Sequence, residues 1–359
     1  MSHAAVQDTQ TPVPPSGGQQ SLSQRSLPRW APAGFALIGI LIGVGIGTAA
    51  GLDSKVQWGL IAVIAFVVIS YVVTTAVENQ RQAKDRLATS VVWVCFVLAV
   101  IPLFSLLWTT ISRGIEVLDP YFLTHSMAGI PSSQVGGGLY HALVGTLQQV
   151  GIATLISAPI GLLTAVYLVE YGKGALAKAV TFFVDVMTGI PSIVAGLFIL
   201  SLMLMFNLGP SGLMGSLALS ILMIPVVVRS TEEMLKLVPN ELREASLALG
   251  VPKWRTILKV VLPTAIGGIT TGVMLAIARI AGETAPVLLL VFGSNLINTN
   301  PFSDPQSSLP LYIFQQYKDG EVASYDRAWA AALVLIAFVM ILNLVARGVA
   351  RWKAPKTGR

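Results

Sequence analysis

The chain has 359 residues, of which 54% are apolar and only 11% charged, with a mean hydropathy of +0.74 and a formal charge of +6. Soluble chains carry about 25% charged residues, so an ordinary soluble enzyme is excluded and length is better counted in membrane crossings of about 20 apolar residues each. The single cysteine, Cys95, excludes an internal disulfide, and His3, His125 and His141 have no ligand spacing, so neither a metal nor a cofactor is expected.

Residues 1–33 are rich in Gln, Ser, Pro and Thr and read as a disordered tail, because such a composition buries too little surface to offset its ordering entropy. This start lacks the charged end, short apolar core and small-residue site of a cleaved signal peptide, so the first apolar run is expected to stay in the mature protein. Eight apolar runs follow, at about 35–52, 57–77, 89–111, 140–169, 180–206, 213–235, 264–292 and 328–346, and each is long enough to span a bilayer. In the first, Gly39, Gly43, Gly47 and Gly51 recur four apart, a stripe of bare backbone that suits close helix packing within the chain or against another. In the fifth, Gly189 and Pro191 can either kink a helix or break it beside a cavity, with Asp185 near the inner end. The connections 112–139 and 293–327 are long and turn-prone, suited to joining helices or meeting an outside partner.

Positive charge is distributed by side. Arg25, Arg29, Arg81, Lys84, Arg86, Lys173, Lys178, the stretch Arg229 to Lys259 and the tail from Arg347 hold 18 of the 23 basic residues. Lys55, Arg113, Lys318 and Arg327 are the four on the opposite side. Both termini are therefore expected to be cytoplasmic, and the charge is a topology signal rather than a nucleic-acid footprint.

Between the sixth and seventh runs lies the polar stretch 238–263. Asn240 suits an N-cap, Gly250 the left-handed residue that ends a helix, and Pro252 the first turn of a second helix. In that second helix Trp254, Ile257, Leu258 and Val261 share one face, while Lys253, Arg255, Thr256 and Lys259 look away. Glu244-Ala245-Ser246, Gly250, Val260 and Leu262-Pro263 have the residues and spacing that resemble the EAA loop of ABC importer permeases, with Ser246 for an Ala and Val260 for an Ile as the departures. The resemblance implies an all-α MetI-like permease whose coupling helix, at 241–249, inserts into an ATPase subunit, with Glu244, Ala245 and Gly250 transmitting nucleotide-driven motion. The chain has no G-x-x-x-x-G-K-[ST] phosphate loop, so the ATPase would be a separate subunit and the chain itself not an enzyme.

The seventh run carries Arg279-Ile-Ala-Gly-Glu283-Thr-Ala-Pro286 between apolar segments. An Arg near a bilayer centre costs about 2.5–3.5 kcal/mol on insertion scales, so such a group faces a bundle interior or a pathway. Four residues apart, Arg279 and Glu283 would share a helix face; they either neutralise one another, or Arg279 offers its donor fork to a passing oxyanion while Glu283 holds it between events. This run resembles the R-x-x-G-E-T-A-P segment of PstA permeases, the family of bacterial phosphate importers, and 185–194 and Arg229-Ser-Thr-Glu-Glu233 are similar to further elements of that family.

The resemblance covers roughly 138–350, with weaker support from about 88, and implies a six-helix core at 87–350 carrying the EAA coupling loop at 239–263. The pair at 34–86 would be two additional transmembrane helices, and 351–359 a cytoplasmic tail. It further implies phosphate movement past Arg279 and Glu283, with Arg229 either a pathway residue or an interfacial arginine. The implied partners are a PstC-like permease, a PstB-like ATPase dimer and a PstS-like extracytoplasmic phosphate-binding protein. Sulfate or molybdate as the anion, or a mainly phosphate-sensing role, are the alternatives.

Overall fold

The structure, a computed structural model, describes residues 27, 28 and 30–353. The tail expected over 1–33 lies outside those residues up to its last few, and the tail at 351–359 lies outside them from 354 onward. Among the described residues seven helices are long and apolar enough to cross a membrane, and an eighth crossing is possible if one bent pair counts as a single span. The chain forms two compact units, 1–105 and 106–359, that divide inside one long helix.

The first unit contains helices α1 (Ala31–Ala49) and α2 (Lys55–Val77) and the start of α3 (Gln80–Val117). The glycine stripe of α1 packs within the chain: a Cβ at Gly39 would lie 2.7 Å from the Ala62 carbonyl, and one at Gly43 would lie 2.6 Å from that of Trp58. Gly51 lies past the helix end, in the turn before α2. At the other end of this unit Arg86 donates to Glu78 at 2.7 Å, and Glu78 also accepts the Leu27 N–H at 2.6 Å.

The second unit continues from α3 through α4 (Pro120–Thr124) to α5 (Tyr140–Val166), which ends in a π-helical turn at Tyr167–Tyr171. Next come α6 (Ala175–Gly189) and α7 (Ser192–Met205), which meet at 106°. Pro191 explains the corner: its ring forces Ile190 into extended backbone, at φ −72° and ψ 125°, where a helix cannot continue. The expected fifth crossing is thus a bent helix pair, either a broken span or a re-entrant segment.

Helix α8 (Gly212–Lys236) is the centre of this unit and is largely buried between α5, α7 and α11 (Leu262–Ala281). Small residues set these contacts. Gly161 of α5 faces Val227, Ser157 donates to the Ser220 carbonyl at 3.2 Å, and on the other side Gly272 faces Ser230 and Gly268 faces Met234. Between α8 and α11 run α9 (Asn240–Ala248), α10 (Lys253–Thr256) and a second π turn, Ile257–Val261, that leads into α11.

After α11 the chain breaks, forms α12 (Ala285–Val291) against α7 and α8, then loops to α13 (Leu309–Asp319) and α14 (Val322–Lys353). The loop is held at its second half: buried Gln306 accepts from Gln149 at 2.9 Å and donates to Gln148, and the Leu309 N–H reaches Thr146 at 2.7 Å. Arg327 at the start of α14 is buried, and its guanidinium donates to Gln316, Ser324 and the Ser132, Gln134 and Gly136 carbonyls, tying the 112–139 connection down.

Candidate functional site

The stretch 238–263 folds as a helical hairpin. Gly250 takes φ +75°, the left-handed value that ends α9 without steric penalty for glycine. Pro239 occupies the N-cap position expected for Asn240; the Asn240 side chain instead accepts from Arg243 at 3.2 Å. Pro252 caps α10 from just outside its first turn. The buried stripe of the second arm is Thr256, Ile257 and Val261, whereas Trp254 and Leu258 remain more than half exposed. The exchange begins in α10, before the π turn at Ile257–Val261, which follows with an extra residue per turn. Thr256, expected to look outward, pairs with Ser246 of α9 at 2.9 Å.

No side chain of α9 is buried. Glu244 and Ala245, two of the three coupling residues, are exposed on it, and Gly250 is exposed at its tip. The opposite face is fastened by Arg243. Its Nε donates to Glu170 of the first π turn at 3.0 Å, and its other nitrogens donate to the Leu235 and Val238 carbonyls at 2.8 and 2.5 Å. Lys253 of α10 donates to the Glu170 carbonyl.

The segment 279–286 does not lie inside one helix. Helix α11 ends at Ala281, Gly282 to Thr284 are non-helical, and Ala285 opens α12. Pro286 supplies the cause, since it lacks an N–H and its ring would collide with the carbonyl of Gly282 four residues back. Arg279 and Glu283 therefore do not share a helix face and make no ion pair; neither side chain has a hydrogen-bonding partner within the described residues. Arg279 is exposed and Glu283 half-buried. Gly196 of α7 fixes the far side of the break, where a Cβ would lie 2.8 Å from the Pro286 Cα.

Arg229 is placed elsewhere and differently. It pairs with Asp185 of α6 and, at 2.8 Å, with Glu232, which Lys236 also reaches at 2.6 Å. Because Ser230 faces Gly272 across antiparallel helices, Arg279 lies seven residues, about 10 Å, farther along the bundle. The structure thus brings Arg229 and Asp185 together but leaves Arg279 and Glu283 apart from them. No group of three or more His, Cys, Asp or Glu among the described residues is arranged to hold a metal ion.

The exposed hairpin between two apolar helices has a counterpart among known sequences. Residues 157–359 match the sequence model of the binding-protein-dependent transport system inner membrane component. The chain belongs to this family. This permease is 51% identical over 269 residues to the phosphate transport system permease protein PstA 1 of Mycobacterium tuberculosis (strain CDC 1551 / Oshkosh), covering 74% of the chain and 88% of the relative. It is 38% identical over 268 residues to the phosphate transport system permease protein PstA of Yersinia pestis, covering 74% and 90%. A solved bacterial alginate ABC transporter, crystallised with a pentasaccharide-bound periplasmic protein, shares its fold at 16% identity with a TM-score of 0.55, over 77% of this chain and 97% of that one. The permease is thus a multi-pass inner-membrane transport subunit, all-helical, with seven or eight apolar helices.

Two residues of the hairpin region were not singled out from sequence, Arg243 and Glu170. Their partnership spans 73 positions, and only a charge in a predominantly apolar run hinted at Glu170.

Proposed function

We propose that this permease carries inorganic phosphate inward across the membrane as one subunit of an ATP-driven importer. The observation that carries this reading is its identity of 38–51%, over about three quarters of its length, to permeases named for phosphate transport. The site chemistry agrees. An exposed guanidinium with no carboxylate partner, in the last turn of α11 beside the helix break, is costly against lipid, and a passing oxyanion would satisfy it with two parallel charge-assisted bonds.

In this reading Arg279 and Glu283 line the path, and Arg229 stands behind them in its ion-pair group as a weaker contributor. Glu244, Ala245 and Gly250 form the surface that meets a PstB-like ATPase dimer, with the exposed Trp254 and Leu258 beside it. A PstC-like permease completes the path, and a PstS-like protein delivers phosphate on the outer side. Both termini then lie in the cytoplasm, with 34–86 an added helix pair, 87–350 the permease core and ATP hydrolysis left to the partner subunit. Closure of the ATPases moves the hairpin and opens the break outward; hydrolysis resets it.

Uptake of labelled phosphate, sulfate and molybdate by cells lacking this chain, with and without its gene restored, tests the substrate. Restoration of phosphate uptake alone is expected. Restoration of sulfate or molybdate uptake instead would move the permease to that anion, and intact uptake with lost phosphate signalling would make it a sensor.

A further inference from the structure

We propose that the Glu170–Arg243 pair is the joint that passes motion of α9 to helices α5 and α8, so that it sets how much transport each ATP hydrolysis yields. The proposal rests on the reading of α9 as the contact for the ATPase. It assigns Glu170 and Arg243 as positioning residues, which touch neither nucleotide nor substrate.

The argument begins with how little else holds α9. None of its side chains is buried, so no hydrophobic anchor fixes it to the frame. Its attachments are polar. The guanidinium of Arg243, with 15% of its side chain exposed, points four of its donor contacts at fixed acceptors: Glu170, the Leu235 and Val238 carbonyls and Asn240. Leu235 lies in the last turn of α8 and Val238 just past its end. One side chain therefore grips the terminus of α8 and the terminus of α5 together.

The second arm of the hairpin grips the same residue. Lys253 donates to the Glu170 carbonyl and lies 5.0 Å from the centre of the Tyr171 ring. Ser246 and Thr256, 2.9 Å apart, join the two arms. Glu170 itself is held in a π turn, with only 6% of its side chain exposed, so it has little freedom to follow a displaced partner by reorienting alone. The hairpin and the end of α5 are thus linked as one body.

Adjacent residues on a helix point in different directions, which lets Arg243 look inward while Glu244 beside it remains exposed. A push received at Glu244 is delivered at Arg243. From there the packed contacts continue: α5 against α8 at Gly161 and Ser157, and α8 against α11 at Gly268 and Gly272, up to the helix end that carries Arg279. Rigid, closely packed elements of this kind transmit displacement because they cannot deform continuously.

The test uses the complete complex in proteoliposomes, with phosphate uptake and ATP hydrolysis measured on the same vesicles. Glu170→Gln keeps the shape and removes the charge; Arg243→Lys keeps the charge and removes the fork. For either variant the phosphate moved per ATP hydrolysed is expected to fall at least about fivefold, while hydrolysis per complex stays within about twofold. The ratio is taken per ATP, so a lower yield of assembled complex cancels out of it. An unchanged ratio, whether both rates persist or fall in parallel, overturns the proposal and leaves the pair a structural tie. Glu244→Arg separates this from the underlying reading: it should abolish co-purification of the ATPase. If the ATPase stays bound to that variant, α9 is not the contact, and it is the reading rather than the joint that has failed.

Discussion

Arg243 in the first turns of α9 and Arg279 in the last turn of α11 are both helix arginines, and the chain treats them in opposite ways. Arg243 is surrounded by a buried carboxylate, two helix-end carbonyls and an amide. Arg279 has no side-chain partner among the described residues, and the one carboxylate near it in sequence, Glu283, lies past the end of α11 and makes no ion pair with it. A cation satisfied on every side holds protein together; a cation left unsatisfied in a membrane helix is open to a charge that arrives from elsewhere. Arg229 belongs with the first kind, since Asp185 and Glu232 already occupy it.

The comparison breaks most sharply at Arg279. Arg279→Gln is expected to reduce phosphate uptake by about ten- to a hundredfold, the equivalent of losing one charged hydrogen bond at about 1.5–3 kcal/mol, with the amount of assembled complex unchanged. Native-gel detection of the complex beside an uptake assay checks both halves. Gly196→Leu attacks the break from behind by placing side-chain atoms where Pro286 now packs. Such overpacking costs about 1–3 kcal/mol, so thermal unfolding in detergent should come at lower temperature, with part of the uptake lost alongside it.

Smaller effects mark the satisfied arginine. Arg229→Gln should leave uptake within about fivefold of normal, because partly exposed ion pairs contribute at most about 1 kcal/mol; a loss as deep as the hundredfold end expected for Arg279→Gln would move Arg229 into the path. Glu283→Gln should change phosphate uptake least and alter discrimination most. Monohydrogen phosphate has a proton that a carboxylate can accept as a hydrogen bond, and sulfate at neutral pH has none. Sulfate uptake appearing in the variant is the expected result, whereas unchanged phosphate uptake with no sulfate uptake removes Glu283 from selectivity.

Much of the frame was legible in the apolar runs, because a bilayer demands them and little else produces them. The EAA spacing was legible for a related reason, with Gly250 needed for its left-handed turn. The two breaks were less so. Gly189 and Pro191 allowed either a kink or a corner, and the choice of 106° is made by how α7 packs on α8 and α12. At 279–286 the hydrophobic run concealed the break, although Pro286 four residues after Gly282 contained the signal. In the second hairpin arm, apolar periodicity puts Trp254 and Leu258 on the buried face and Thr256 outside it, whereas the structure buries Thr256 beside Ser246 and leaves Trp254 and Leu258 exposed, a choice made by the contact with α9 that one sequence does not display. The Glu170–Arg243 pair depends on tertiary proximity, which one sequence does not display.

The account depends most on Arg279 acting through its positive charge on a path open to water. With Cys95, the one cysteine of the chain, first replaced by Ser, Arg279→Cys can be modified by thiosulfonate reagents that add a positive, a neutral or a negative group. Phosphate uptake should be lost in Arg279→Cys and restored, in part, by the positive reagent alone. Uptake that survives the substitution, or that responds equally to all three reagents, would contradict the assignment.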